Sequence, residues 1–245
     1  MDGVPLLVVV TGPPAAGKTT VAQGISSRLR LPLIQKDTIK EALFDSLGAG
    51  DLAWSKRLGE ATFTVMWALL GESLAAGASI VVEANFVRGE SESRFEALPG
   101  ARIVQLHCSA PLDVLLQRYA SRERHPGHVD GERIDALGGV VESGRHGPLD
   151  LSGETIRLDT SEEVGLDVLA RRVRRAALWQ AVGAAVGPAG ETTPLAEKVR
   201  VAAYRIADAD VVGLSADALY EAVLPVAFAA ADETRRRAFE AIDAG

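Results

Sequence analysis

The chain has 245 residues, 47% of them hydrophobic, which is ample for a buried core. Its formal net charge of −7 gives no basic footprint for extended nucleic-acid or anionic-membrane binding, so small-molecule partners are favoured. The single cysteine, Cys108, excludes an intramolecular disulfide and is expected in the core. No targeting segment and no membrane span are expected, and the composition fits a cytoplasmic protein.

Short β-branched runs alternate with helical patterns over the first two thirds of the chain. The runs are residues 6–10, 31–35, 79–85, 101–108 and 154–160, and the helical stretches lie near 18–30, 38–47, 54–76, 90–97 and 110–124. For the last of these helices, Ser109 is the expected cap and Pro111 lies in the first turn. The alternation predicts βαβ units and an α/β fold, a three-layer αβα sandwich with a five-stranded parallel sheet.

A further helix is expected to open at Ser161 and to end near Val186, where glycine and proline residues interrupt the pattern. This predicts a first domain at 1–187 and a helical appendage at 191–245. The basic run at 171–175 is expected to form a solvated helix face.

Residues 12–19, GPPAAGKT, fit the pattern G-x-x-x-x-G-K-[ST] between the first strand and the first helix. The glycines permit a tight backbone path, and the N–H groups and the helix N-terminus face phosphates. Lys18 can neutralise β- and γ-oxygens, and the Thr19 hydroxyl can ligate Mg²⁺. The pattern predicts a P-loop that binds a nucleoside triphosphate, whereas the alternative is a Gly-rich turn without a ligand. The expected contacts are Gly12, Pro13, Pro14, Ala15, Ala16, Gly17, Lys18, Thr19 and Thr20.

Asp37 follows the second predicted strand, at the sheet edge where ligands of parallel sheets bind. It can accept a proton from a substrate hydroxyl, and Lys40, one turn on, can steady phosphate or substrate. Thr38 and Glu41 have the spacing of a capping box. The alternative for Asp37 is a carboxylate that only stabilises the start of a helix.

Glu83 lies near the end of the third predicted strand, where an acid can contact the substrate or help Thr19 hold Mg²⁺ through water. It could equally bond neighbouring backbone. Asn85 and Phe86 either line a pocket for the phosphate acceptor or begin a loop.

Arg118 and Arg122 lie four residues apart, and Arg124 and His125 follow them before a Pro-Gly turn. This composition is typical of a mobile lid that brings guanidinium groups to a transferring phosphate and excludes water. The alternative for Arg118 or Arg124 is a solvated, salt-bridged helix face. His125 and His128 lack an obvious third metal ligand, so hydrogen bonding to the loop or the substrate is favoured.

The fifth predicted strand ends at Leu158-Asp159-Thr160-Ser161. Backbone groups of Asp159 and Thr160 can meet an adenine ring there, or else Asp159 or Ser161 caps the next helix.

With these residues in place, the first 180 or so residues resemble the P-loop kinase-like ATPases that group with zeta toxins, chloramphenicol phosphotransferase and the polynucleotide kinase domain. The matching stretches are GPPAAGKTT, KDTIK, VVEAN, RYASRERHPGH and LDT. In such proteins the Asp after the second strand acts as base toward the acceptor hydroxyl, and lid arginines grip the phosphates. The resemblance implies catalytic roles for Asp37, Arg118 and Arg122 beside Lys18, with Arg122 also contacting the nucleotide.

Residues 190–243 weakly resemble the helical carboxymuconolactone decarboxylase and alkylhydroperoxidase-like proteins, in TPLAEKVRVAAYRIADADV and ALYEAVLPVAFAAADETRRRAFEAI. Redox chemistry there would need a cysteine pair, which this tail lacks. The expectation is therefore an appendage that is either structural or forms a homo-oligomer, and the alternative is a second active site.

The leading functional hypothesis is an ATP- and Mg²⁺-dependent kinase that phosphorylates a hydroxyl of a small molecule, such as an antibiotic or a sugar-like metabolite. One alternative keeps the chemistry but makes the acceptor a nucleic-acid end or a nucleotide-sugar, although the net charge disfavours nucleic acid. Another is a non-enzymatic ATP-dependent switch that binds a protein partner.

Overall fold

A computed structural model of the chain describes residues 4–48, 50–121, 125 and 134–186. The predictions for Arg122, Arg124 and His128 lie outside these residues, as do the domain boundary after 187 and the appendage at 191–245. They therefore stay predictions.

The described residues form five strands and seven helices. The strands are β1 (Leu6–Thr11), β2 (Leu33–Gln35), β3 (Ile80–Glu83), β4 (Arg102–Ser109) and β5 (Glu154–Asp159). The helices are α1 (Lys18–Leu29), α2 (Lys36–Leu47), α3 (Leu52–Ala75), α4 (Glu92–Glu96), α5 (Leu112–Ser121), α6 (Ile134–Glu142) and α7 (Leu166–Val186). None of these helices has the length and hydropathy that a membrane crossing requires.

All five strands run parallel in one sheet of order β2-β3-β1-β4-β5, within the compact unit Pro5–Ala170. Every residue of β1 is buried, so both faces of the sheet are covered at its centre. This confirms the predicted α/β fold with a five-stranded parallel sheet.

The core on one face of the sheet forms where α3 packs against the central strands. Its buried members are Leu7, Val9, Met66, Leu70, Leu74, Ile80, Val82, Ala84, Phe86, Phe95, Ile103 and Leu149. Phe86 lies at the centre of an aromatic group, with ring centroids 5.0 Å from Phe95 and 5.7 Å from Trp67. This packing fixes the backbone that follows β3.

Two predicted helix caps are wrong. The second helix begins at Lys36, directly after the extended residue Gln35, so Thr38 lies inside its first turn and cannot cap it. Ser109 is the last residue of β4, and its hydroxyl donates to the Leu158 carbonyl instead of capping α5. In both places the strand runs nearly into the helix and leaves no loop in which a capping side chain could act.

The predicted start of the last described helix at Ser161 is also wrong, because α7 begins at Leu166. The Asp159 carboxylate accepts hydrogen bonds from the Ser161 amide at 2.8 Å and from the Ser161 hydroxyl at 2.6 Å. These bonds close a separate turn, so neither residue caps the helix.

Helix α6 was not predicted. Its sequence IDALGGVVE contains two glycines, which lower helix propensity, and it directly follows the presumed lid. The apolar spacing of Ile134, Leu137 and Val141 was the available signal.

Candidate active site

A cleft of about 790 Å³ opens at the carboxyl ends of the parallel strands. Parallel α/β sheets bind ligands at this edge because the loops that follow the strands converge there. The cleft is lined by Pro14, Ala15, Ala16, Gly17, Lys18, Thr19, Thr20, Lys36, Asp37, Lys40, Phe63, Glu83, Ala84, Asn85, Val87, Arg118, Tyr119, Ser121, Leu137, Val140, Arg145 and His146.

The backbone of the P-loop is built on two glycines with positive φ. At Gly12, φ is 142°, and an added Cβ would lie 2.1 Å from the Cys108 carbonyl oxygen on the neighbouring strand. At Gly17, φ is 70° at the N-cap of α1. Position 12 requires a positive φ and the absence of a Cβ atom, and only glycine meets both requirements. The loop can therefore lie close to β4. The residues from Pro14 to Thr20 line the cleft, whereas Gly12 and Pro13 do not.

Lys18 is buried in the first turn of α1, and its ammonium group donates to the Pro13 carbonyl at 2.8 Å. Burial lowers the pKa of Lys18, and the nearby Glu83 carboxylate opposes that shift. The loop thus folds around its own lysine, which lines the cleft.

Glu83 ends β3 next to the P-loop. Its Oε2 accepts hydrogen bonds from the Thr19 hydroxyl at 3.4 Å and from the Gln35 amide at 3.3 Å. Burial raises the pKa of Glu83, while Lys18 acts in the opposite direction. The structure therefore brings Thr19 and Glu83 together, with Gln35 orienting the carboxylate.

Lys36 and Asp37 enter the cleft from the first turn of α2. The Lys36 ammonium group donates to Asn85 Oδ1 at 2.9 Å and lies 5.5 Å from the centroid of the Phe63 ring. Burial lowers the pKa of Lys36, and the Asp37 carboxylate opposes this most strongly. Asp37 itself lines the cleft and accepts no hydrogen bond from any residue that the structure describes.

His146 and Arg145 enter the cleft from the loop between α6 and β5. His146 is buried, with Nδ1 2.9 Å from the Phe86 carbonyl oxygen. Arg145 is exposed, and its guanidinium lies 3.5 Å from Glu90. This loop was not predicted to contribute to the site.

Arg118 bonds to the end of β5, although it also lines the cleft. Its guanidinium donates to the Thr160 carbonyl at 2.6 Å and lies 3.4 Å from the Thr160 hydroxyl. The buried Thr160 hydroxyl lies 3.1 Å from the Ala16 carbonyl and 3.0 Å from the Ser109 carbonyl. Arg118 and Thr160 thus connect α5, β5 and the P-loop.

Besides Gly12 and Pro13, three predicted contacts do not line the cleft. His125 lies 3.1 Å from the Asp45 carboxylate and packs edge-on against Phe44, at the C-terminal part of α2. Asp159 is exposed and bonds to Ser161, and Thr160 has its polar groups engaged inside the fold. None of the three lines the cleft.

The remaining described site predictions converge on the cleft, and the structure adds residues that sequence reasoning missed. The cleft contains Asp37, Lys40, Glu83, Asn85 and Arg118 together with the P-loop. The added residues are Lys36, Arg145 and His146, which line the cleft, and Gln35, which donates to Glu83. Lys36 had a signal, because it stands beside Asp37 at a strand end; His146 had only its place in a polar Arg-His-Gly-Pro loop before a predicted strand.

Among the described residues, no group of three His, Cys, Asp or Glu side chains is arranged to hold a metal ion. A cation at this edge would therefore need oxygen atoms from a ligand as well as from Thr19 and Glu83.

Comparison with curated proteins finds no match. Among solved structures, a gluconokinase from Sinorhizobium meliloti is 18% identical, with a TM-score of 0.43, over 76% of this chain and 98% of that one. A shikimate kinase from Acinetobacter baumannii is also 18% identical, with a TM-score of 0.46, over 73% and 96% of the two chains. Similarity at this level carries no argument about function.

Two further similarities are much stronger. The AAA domain family model matches residues 7–143, more than half of the chain. A protein from Chloroflexus aurantiacus, described as a "putative kinase", is 35% identical with a TM-score of 0.66, over 71% of this chain and 98% of that one. The chain therefore belongs to the P-loop kinase-like family.

Proposed function

We propose that the chain is a phosphotransferase that uses ATP and Mg²⁺ to phosphorylate a hydroxyl group of a small molecule, such as an antibiotic or a sugar-like metabolite. The observation that carries the proposal is a shared cleft. Lys18 and Thr19 of the P-loop line the same 790 Å³ space as the Asp37 carboxylate. The P-loop and a candidate base therefore line the same cleft, which is large enough for the triphosphate of ATP and a small acceptor.

The phosphate side of the cleft suits a polyphosphate. The N-terminus of α1 and the backbone from Ala15 to Thr19 line it, and oriented N–H groups bind anions. Lys18, which donates to Pro13 in the structure, would transfer its hydrogen bond to β- and γ-phosphate oxygens. Arg118, on the same wall, would add positive charge as negative charge shifts in the transition state.

Thr19 and Glu83 fit a Mg²⁺ ion by their chemistry. Hydroxyl and carboxylate oxygens are the ligands that Mg²⁺ prefers, and these two lie 3.4 Å apart next to the P-loop. Mg²⁺ sites of this kind take their other ligands from phosphates and water, which agrees with the small number of protein carboxylates here. When bound, the ion would neutralise charge on the phosphates.

Asp37 would act on the acceptor. Its carboxylate would orient the attacking hydroxyl and take its proton as the new oxygen–phosphorus bond forms. The bond between the γ-phosphorus and the bridging oxygen of ATP would break, and ADP would leave with that electron pair. The first turn of α2 positions the carboxylate, and no described side chain competes for it by hydrogen bonding.

The test is mass spectrometry of a library incubated with the protein, ATP and Mg²⁺. The library contains hydroxylated metabolites, aminoglycosides, nucleosides and short oligonucleotides, and Lys18→Ala is the control. The expected result is a gain of one phosphate by a small hydroxylated compound, abolished in Lys18→Ala.

Two outcomes would contradict the proposal. Phosphorylation of oligonucleotide ends alone would make the acceptor a nucleic acid. Tight ATP binding without a phosphorylated product in any class would favour an ATP-dependent switch and a search for protein partners.

A further inference from the structure

The His146 ring is held in one orientation at the wall of the cleft. The residue is only 8% exposed, and Nδ1 lies 2.9 Å from the Phe86 carbonyl oxygen. A carbonyl oxygen only accepts hydrogen bonds, so Nδ1 must carry the hydrogen in this contact. The neutral ring then presents Nε2 as a hydrogen-bond acceptor.

The Nε2 atom of His146 is open to the cleft. It has no hydrogen-bond partner among the described residues. It is also absent from the fully buried side-chain atoms without a partner, so it remains accessible. His146 also lines the cleft that contains Asp37. The cleft wall therefore contains an acceptor atom that the phosphate-transfer roles above do not use.

Side chains from β4 fix the loop that carries His146. The ring of His107 donates through Nε2 to the His146 carbonyl at 3.0 Å. Gln105 bonds both backbone groups of Leu149, accepting from its amide at 2.7 Å and donating to its carbonyl at 3.0 Å. The ring is thus preorganised before any ligand arrives.

Burial keeps His146 neutral. It lowers the pKa of the ring, and the charges of Lys18 on α1, Arg145 on the same loop and Lys36 on α2 lower it further, against the hydrogen bond to the Phe86 carbonyl, which raises it. The form with a free Nε2 lone pair is therefore the one present near neutral pH.

A hydrogen-bond donor lines the same cleft as this acceptor. Asn85, the residue before Phe86, accepts from the Lys36 ammonium group at 2.9 Å. An ammonium group has three donors, and this bond uses one. Two consecutive residues after β3 thus hold a donor, Lys36, and an acceptor, His146, at the same cleft.

We propose that Lys36 and His146 form a recognition pair for a polyhydroxylated acceptor, in which His146 Nε2 accepts from a second hydroxyl and Lys36 donates to an oxygen of the same molecule. This rests on the proposed phosphotransferase function and narrows it. A compound with a single hydroxyl would leave Nε2 without this hydrogen bond and should be a poorer substrate.

The first experiment reads the tautomer without turnover. In the full-length chain labelled with ¹⁵N at histidine, imidazole spectra at about pH 7.5 are compared between the wild type and His146→Asn to assign the ring. The expected result is a neutral His146 with hydrogen on Nδ1 and a bare Nε2. An Nε2–H tautomer or a charged ring overturns the inference.

The second experiment uses the acceptor that gains phosphate in the mass-spectrometric screen, together with its monodeoxy derivatives. His146→Asn keeps a side-chain N–H at the Nδ1 position for Phe86 and removes the Nε2 acceptor. It should lower kcat/KM for the acceptor about tenfold and leave the KM for ATP and the Tm close to wild type. His146→Gln, which places an oxygen near the Nε2 position, should recover part of the loss.

The deoxy derivatives show whether the contact is direct. With the wild type, kcat/KM for one of these derivatives should be about tenfold lower than for the parent acceptor. His146→Asn should cause no further loss with that derivative, because both changes remove the same hydrogen bond. His107→Gln, which retains the bond to the His146 carbonyl, is the matched control for disturbance of the loop.

Failure of the inference and failure of the proposed function look different. Phosphate transfer by the wild type with an unchanged kcat/KM in His146→Asn contradicts the recognition pair alone. Absence of transfer by the wild type to every acceptor contradicts the proposed function and the substrate role of His146 with it.

Discussion

The two halves of the cleft are built in different ways. The proposed phosphate half is built mainly on one continuous segment, residues 14–20, whose backbone groups and Lys18 line the cleft, with Glu83 and Arg118 beside it. The proposed acceptor half combines side chains from segments far apart in the chain, among them Lys36, Asp37, Asn85 and His146, which all line the cleft. Backbone groups present the same donors whatever the side chains, so the first half suits a common cosubstrate, and the second can vary with the acceptor.

Changes in the two halves should therefore separate ATP binding from phosphate transfer. ATP binding should be lost when the backbone path of the P-loop is disturbed. Phosphate transfer should be lost when a single side-chain atom of the acceptor half is replaced.

The largest effect is expected for Gly12→Ala. The new Cβ would lie 2.1 Å from the Cys108 carbonyl oxygen, at a φ of 142° that other residues rarely adopt. ATP binding measured by calorimetry should be lost, with a fall of several kcal/mol, about 2–4, in the free energy of unfolding. Gly71→Ala is the matched control, because nothing lies within 4 Å of its added Cβ on α3. Tight ATP binding by Gly12→Ala would mean that the loop does not need this path.

Asp37→Asn should abolish transfer and spare ATP binding. Loss of the base should reduce kcat about 10²- to 10⁴-fold in a coupled ADP assay, while the Kd for ATP changes less than about twofold. Asp45→Asn makes the same chemical change on α2, where the carboxylate pairs with His125 outside the cleft, and should keep wild-type turnover. Normal turnover by Asp37→Asn would reject the assigned role.

Thr160→Val should weaken the connection between the P-loop and β5. It removes the hydroxyl that lies near the Ala16 and Ser109 carbonyls, so these two acceptors lose a hydrogen-bond donor. The free energy of unfolding in urea should fall by about 1–3 kcal/mol, with Thr160→Ser close to wild type. An unchanged midpoint in Thr160→Val would show that the connection contributes little to stability.

The smallest effect is expected in the pH dependence of stability. Burial lowers the pKa of His107 and His146 below the ordinary value of 6.5. As pH falls through 6.5, the unfolded chain takes up protons before the folded chain does, so the Tm should drop between about pH 7 and the folded pKa values.

The control for this prediction compares the pH dependence of Tm in the wild type with that in a histidine variant. Glu83, whose pKa burial raises, acts in the opposite direction in the wild type and in any histidine variant alike. His107→Gln should therefore show a shallower decline of Tm than the wild type from about pH 7.5 to 5.5. An identical slope would show that His107 does not titrate differently on folding.

The same contrast explains what sequence reasoning recovered. The P-loop motif and the alternation of strands and helices are local patterns in the sequence. Residues 12–20 and the five strands could therefore be predicted from spacing alone. Asp37 and Glu83 were found because strand ends meet at one edge of a parallel sheet.

The residues that were missed depend on tertiary packing. His146 reaches the cleft only because Phe86 and His107 anchor its loop, and neither bond has a sequence signature. His125 looked like part of a lid, yet it pairs with Asp45, a partner 80 positions earlier in the chain. The caps at Thr38 and Ser109 failed because propensity marks where a helix can start, whereas the sheet sets where each strand stops.

The residues from Glu83 to Phe86 contribute to both the cleft and the core. Glu83, Ala84 and Asn85 line the cleft, while Ala84 and Phe86 belong to the buried cluster on one face of the sheet. Deleting one residue here would displace Phe86 from the aromatic group of Phe95 and Trp67 and would shift Asn85 at the same time. One deletion in this segment should therefore damage the cleft and the core together, whereas a substitution that is confined to Asn85 should affect the cleft alone.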